Sequence, residues 1–295
     1  MTQGCIACLV KDRMKTNSHL ISKGLLNSST IKAIALAFMT LDHIGAYAFE
    51  FPVVAENYSI FRILGRIAAP LFLFMITESA RFTHSKAKLL LRLYVSAVLF
   101  DILQVIMNTC WGNVLGIYSH GNILFTYSFV VTYIILIEKL ISAIKEKHIC
   151  KALIFVATLS LTVLLHPLWK FIHSITIPNR FIKEILESFF ESPLLVEYSP
   201  FFVLLGVLLY FAKNKWLQIG IFLMFCVLCY DANLTEFFIS TPFSDFWGYP
   251  QYWMVLAAPI MTLYNGHRGK ENKMLFYAYY PIHIYTIIIV SKLIG

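Results

Sequence analysis

Much of this chain consists of apolar runs about as long as a lipid bilayer is thick, and several of those runs carry ionisable side chains. A helix needs about 20 residues to cross a hydrocarbon core of ~30 Å. Measured against that length, the sequence holds about nine candidate spans, at roughly 31–49, 60–79, 88–108, 121–140, 151–169, 194–212, 215–230, 249–264 and 274–293. In lipid every backbone N–H and C=O must be satisfied within the protein, so runs of this kind predict helices. Composition agrees: 59% of residues are hydrophobic and 14% charged, against about 25% charged in soluble domains. The expected fold class is all-α, a polytopic membrane helical bundle of about nine transmembrane helices. Residues 1–30 read as a polar N-terminal segment and 31–295 as one transmembrane domain.

The loops give the chain a direction. Lys11, Arg13, Lys15, Lys23 and Lys32 precede or open the first span, and Glu50 and Glu56 follow it. Basic loops at Arg81–Arg92, Lys139–Lys151, Lys213–Lys215 and Arg268–Lys273 then alternate with neutral or acidic ones, such as 109–120 and the loop holding Asp231, Glu236 and Asp245. Basic loops stay in the cytoplasm, so the N-terminus is expected there and the C-terminus outside. The formal net charge of +8 is thereby absorbed by orientation. Nucleic-acid binding is not expected, because no soluble basic domain is present to carry it. Segment 171–191 places Ile182, Ile185, Leu186, Phe189 and Phe190 at helical spacing between charges, which predicts a short amphipathic helix at the outer surface.

Two CxxC pairs, Cys5 with Cys8 and Cys226 with Cys229, lack partners at zinc-site spacing, so no metal is expected. A long first apolar run behind a polar leader of some 30 residues is unlike a secretory signal peptide.

The chemistry is expected where charge enters the spans. A charged group at the bilayer centre costs about 2.5–3.5 kcal/mol on insertion scales, and such residues usually face the bundle interior. Asp42, His43, Arg66, Glu78, Arg92, Asp101 and His283 are the candidates. Asp42 and His43 are adjacent, so they point about 100° apart on a helix. His43 has the acid–base range of a proton carrier, and Asp42 could orient it. Arg66, between Gly65 and Pro70, could pair with Asp42 or hold an anionic group. His283 follows Tyr277, Tyr279, Tyr280 and Pro281 in the last span. Asn265-Gly266-His267-Arg268-Gly269-Lys270 forms a basic turn suited to phosphate. Asn122 either caps the fourth span or enters the site.

Met39-Thr40-Leu41-Asp42-His43-Ile44-Gly45, Arg62-Ile63-Leu64-Gly65-Arg66-Ile67-Ala68-Ala69-Pro70, Asn122-Ile123-Leu124-Phe125-Thr126, Tyr264-Asn265-Gly266-His267-Arg268-Gly269 and Phe276-Tyr277-Ala278-Tyr279-Tyr280-Pro281-Ile282-His283 together resemble the TraX family in order. The likeness spans about residues 30 to 290 and is weaker near Glu78-Ser79 and Asp101. The family takes its name from the conjugation protein that N-acetylates F-type pilin. It is also similar, distantly, to transmembrane enzymes that acetylate sugars, such as the lysosomal heparan glucosaminide acetyltransferase.

The resemblance implies a membrane-bound acyltransferase in the cell membrane, multi-pass and bacterial, taking acetyl-CoA or another acyl-CoA as donor. The implied acceptor is an amine or hydroxyl of a peptide, sugar or lipid-linked molecule. Carried over, it makes His43 the first candidate base and His283 the second, with Asp42 and Arg66 completing a catalytic group. Arg268, Lys270, Arg81 and Asn122 are the candidate donor-binding residues. Homo-oligomerisation stays open. A proton-coupled transporter, a lipid flippase and a non-catalytic assembly protein are the rival readings, since buried Asp, His and Arg also suit a transport pathway.

Overall fold

A computed structural model describes residues 24–111, 122–230, 251–270 and 273–294. The N-terminal Cys5, Cys8, Lys11, Arg13, Lys15 and Lys23, and the loop carrying Asp231, Glu236 and Asp245, lie outside the described residues.

The described chain is helical, with no strand among the described residues. In order it forms α1 (Ser28–Tyr47), α2 (Pro52–Glu56), α3 (Tyr58–Gly65), α4 (Ala68–Phe82), α5 (Lys86–Trp111), α6 (Ile123–Lys145), α7 (Ile149–Ser174), α8 (Arg180–Glu187), α9 (Ser199–Phe211) and α10 (Lys215–Tyr230). A 3-10 segment (Gln251–Leu256) leads into α11 (Ala257–Thr262), and α12 (Lys273–Ile294) closes the chain.

Local chemistry sets the ends. Asn27 caps α1 by accepting from the Thr30 N–H at 3.0 Å, and Asn179 caps α8 through Ile182, as an Asn at this position does for orphan donors. α3 and α4 are separated by a two-residue turn at Arg66 and Ile67 but run on as one span, Tyr58–Phe82. Pro70 lacks the N–H that would bond the Arg66 carbonyl, which loosens the helix at that point. The expected amphipathic helix appears as α8, within the predicted segment.

Among the described residues four helices are long and apolar enough to cross a membrane: Tyr58–Phe82, Lys86–Trp111, Ile123–Lys145 and Ile149–Ser174. Ser199–Phe211 and Lys215–Cys229 are apolar but shorter. α1 and α12 have 20 and 22 residues, and their apolar character is diluted by the polar and ionisable residues that make them of interest. The expected continuous span at 249–264 is instead a 3-10 segment of 6 residues followed by an α-helix of 6 residues. Together these extend only about 21 Å, short of the ~30 Å core.

The main core joins α1, α4, α6, α9, α10 and α11 through Ile31, Phe74, Ile134, Phe202, Phe222 and Met261. α4 is its centre, with ten of its residues buried. Cys226 and Cys229 pack in this core as free thiols. α7 packs against α6 and has none of its candidate span buried.

Several of the basic segments meet one another or the helix ends beside them: Lys86 pairs with Glu138 at 2.8 Å, Lys215 donates to the Tyr264 carbonyl at 2.9 Å, and Leu26 bonds Leu263 at 2.9 Å. Gly24, the first described residue, already lies against the Leu263 and Tyr264 backbone.

Candidate functional site

α1 and α12 both start beside the loop 263–270 and run side by side in the same direction. Lys32 lies over the Phe276 ring at 5.7 Å. Further along, the Thr40 hydroxyl meets the Tyr279 hydroxyl at 2.7 Å. One turn on, His43 Nδ1 meets His283 Nε2 at 2.6 Å, with the rings stacked at 4.8 Å. The two histidines of the first and last expected spans thus form one pair.

The direction of the hydrogen bonds follows from their acceptors. His283 Nδ1 lies 2.7 Å from the Tyr279 carbonyl oxygen. A carbonyl only accepts, so Nδ1 of His283 carries the proton. In the neutral ring its Nε2 then accepts, and His43 Nδ1–H donates to it. The lone pair of the pair is left on His43 Nε2. The His43 ring also faces Tyr47 at 5.9 Å and Tyr280 at 6.4 Å.

Asp42 does not orient His43. Its Oδ1 sits 2.9 Å from Arg62 Nη1 and 3.9 Å from Arg66 Nη2, and Arg62 Nη1 also donates to the Asp42 backbone oxygen at 3.2 Å. The adjacent positions diverge around α1, so the carboxylate faces α3 while the imidazole faces α12. The alternative in which Arg66 pairs with Asp42 is present, as a longer contact behind Arg62. Gly65 makes this possible: a Cβ there would overlap the Asp42 carboxylate.

Two residues of the site went unselected in the sequence. Arg62, 2% exposed, stands four positions before Arg66, and that spacing puts both guanidinium groups on one helix face. Glu197 sits in the turn before α9. Its carboxylate accepts from the Ile123 N–H and lies within electrostatic range of Asp42, Arg66 and Arg62. A Glu inside the apolar run 194–212 was its signal. Tyr198 and Ser199 next to it take positive φ, 63° and 74°, a backbone strain that side-chain residues bear only where surroundings enforce it. Arg66 Nε and Nη2 and Glu197 Oε2 are buried with no hydrogen-bond partner among the described residues.

The expected donor-binding residues divide. Arg268 and Lys270 are exposed on the loop at the start of α1. The loop is tied to that helix: Ser28 N–H donates to the His267 carbonyl at 2.8 Å and the Ser29 hydroxyl to the Lys270 carbonyl at 2.7 Å. Gly269 supplies the required φ of +73°. Arg81 is committed elsewhere. Its Nη2 donates to the Leu209, Tyr210 and Ala212 carbonyls at 2.5, 2.6 and 2.8 Å, closing the C-terminus of α9, and its Nη1 pairs with Glu78 at 3.2 Å. These bonds set Arg81 apart from Arg268 and Lys270. Asn122 is a cap: its Oδ1 accepts from the Leu124 N–H at 2.9 Å, while its Nδ2 donates to the Ala97 carbonyl at 3.0 Å and to Asp101 at 2.9 Å. Arg92 bonds the Lys88 carbonyl at 3.2 Å, and Glu78 is held by Gln218 at 3.2 Å; both are apart from the histidines.

Among the described residues no three His, Cys, Asp or Glu side chains converge as a metal site. No curated protein and no solved structure matches the chain. The family model described as TraX protein matches residues 27–184 and 185–291. With paired histidines, the paired arginines opposite Asp42 and the loop 264–270 all inside the matched stretches, the chain belongs to the TraX family.

Proposed function

We propose that this membrane protein is an acyl-CoA-dependent acyltransferase, with the His43–His283 pair as its proton-handling centre. The observation that carries the reading is the common origin of the two histidine helices at the basic loop. His43 lies 15 residues beyond Ser28, about 22 Å along α1, from the loop that exposes Arg268 and Lys270. An acyl donor with phosphates at one end and a thioester on a long flexible arm suits that separation. Arg268 and Lys270 would hold the phosphates at the cytoplasmic rim, in a bundle oriented by its loop charges. The bacterial cytoplasmic membrane is the setting this implies.

In this reading His43 Nε2 accepts the proton of the acceptor nucleophile. The nucleophile attacks the thioester carbonyl, the C–S bond breaks, and the proton passes to the departing thiolate. His283 fixes the tautomer through its bond to the Tyr279 carbonyl. Arg66, whose Nε and Nη2 have no hydrogen-bond partner among the described residues, would meet the developing oxyanion. Asp42 would act through the arginines and not through the imidazole.

The test is acyl transfer by purified protein supplied with acetyl-CoA, with cell-envelope sugars, peptides and lipids compared by mass spectrometry with and without the protein. His43→Gln should cut turnover by about 10²–10⁴-fold with the fold intact. Full activity in that variant would overturn the assignment. Counterflow of an unmodified solute without acyl-CoA consumption would favour a transporter.

A further inference from the structure

A second concave feature lies on the flank of the bundle, away from the histidine pair. α6 forms the floor and α5 and α7 the walls of a groove of about 520 Å³. Leu90, Tyr94, Phe125, Phe129, Leu168 and Trp169 line it. Leu91 and Leu168 on its rim are 61% and 44% exposed, so it opens on the face that these long helices present to lipid. Among its lining residues Glu191 is the single acidic or basic side chain.

The end of the groove near Glu191 is a built one. The Tyr94 hydroxyl donates to the Phe189 carbonyl at 2.9 Å, and the Glu191 carboxylate accepts from the Ser192 N–H at 2.9 Å. Burial pushes the Glu191 carboxyl from 4.5 up to about 7; the Ser192 N–H lowers it, and nearby Asp101 raises it. An apolar, laterally open groove thus ends at a carboxylate with no cation paired to it among the described residues.

We propose that the groove seats a hydrocarbon chain of an amine-bearing membrane lipid, its ammonium against Glu191. Apolar burial holds the chain, and the carboxylates favour a cationic over an anionic head group.

The experiment uses full-length protein in vesicles of chain-brominated phosphatidylethanolamine or phosphatidylglycerol. Quenching of Trp169 is read as the difference between wild type and Trp169→Phe. Ala87→Phe and Thr132→Phe, each placing bulk in the groove, are compared with wild type. Phosphatidylethanolamine should quench at least twofold more strongly than phosphatidylglycerol, and each bulky variant should halve that quenching. Equal quenching by both lipids would overturn the ammonium contact, and quenching unaffected by the bulky residues would overturn the groove.

Discussion

Replacing Arg62 by Met should destabilise the protein far more than removing a surface charge would. Arg62 is 2% exposed and its Nη1 lies 2.9 Å from Asp42 Oδ1. It also donates to the Asp42 backbone oxygen at 3.2 Å. Met keeps most of the volume and removes the charge. The Asp42 carboxylate, 14% exposed, then keeps only Arg66, at 3.9 Å. Breaking a buried pair from one side costs about 3–5 kcal/mol, because the remaining ion stays desolvated. For chains of 150–250 residues each kcal/mol moves Tm by about 2–4 °C, so Arg62→Met should lower Tm by about 10 °C. Thermal unfolding of protein in detergent, followed by intrinsic fluorescence at fixed protein concentration, measures this. The Asp42→Asn, Arg62→Met double variant should recover at least half the loss, since it removes the stranded carboxylate while Glu197 stays within electrostatic range of Arg66. A drop under about 2 °C in the single variant, or a double variant worse than the single, would refute the argument that the cost is that of a stranded carboxylate.

Gly65→Ala places a methyl group on the Asp42 carboxylate. It should force α1 and α3 apart, cost about 1–3 kcal/mol as overpacking does, and reduce acyl transfer more than a Gly→Ala change elsewhere in the bundle. Thermal unfolding and turnover measured on the same preparation check both. Glu191 gives a pH dependence. Its carboxyl is raised from 4.5 to about 7 chiefly by burial, so the folded state holds the proton more tightly than the unfolded chain. The stability from this group is therefore full below about pH 4.5 and is lost as pH rises through about 7. At about 1.4 kcal/mol per unit the loss is bounded at about 3 kcal/mol. Glu191→Gln should flatten that slope and raise Tm above pH 7, and an unchanged slope would remove Glu191 as its source.

The sequence was most legible where one residue type had to be explained by lipid. The apolar runs gave the helices, and four of them have spanning length and composition. The ionisable residues in those runs led to His43 and His283, now a bonded pair. Less legible was everything decided by the helix partner. Adjacent Asp42 and His43 suggested a dyad, but the 100° step between them assigns one to α3 and the other to α12. Arg62 fell inside the expected span 60–79 without being singled out, because its partner Asp42 is brought to it by the packing of α3 on α1. Arg81 read as a free cation in a basic loop, and the α9 carbonyls that occupy it come from 128 or more positions away. Glu197 was hidden for the same reason, since its partners on α3 and at the start of α6 are set by tertiary packing. The run at 249–264 was apolar enough for a span, yet 3-10 winding and a break into two short elements depend on packing against α10.

What joins these pieces is the parallel run of α1 and α12. Two helices joined in sequence by a short loop pack antiparallel; these two lie at opposite ends of the chain, and both leave from one loop. That loop is fixed to the start of α1 by the Ser28 and Ser29 bonds and exposes Arg268 and Lys270. Every residue between the loop and the histidines is helical on α1, so the separation of about 22 Å is a property of a rigid rod and not of a flexible linker. A donor anchored at the loop, as proposed, would therefore meet His43 at a fixed depth. Lengthening α1 between Ser29 and Thr40 by one residue would turn the His43 side chain by about 100° away from His283, even though the added length is only about 1.5 Å. The chemistry thus depends on helical phase more strongly than on distance, and this makes the bond between His43 and His283 the contact on which the proposed activity stands.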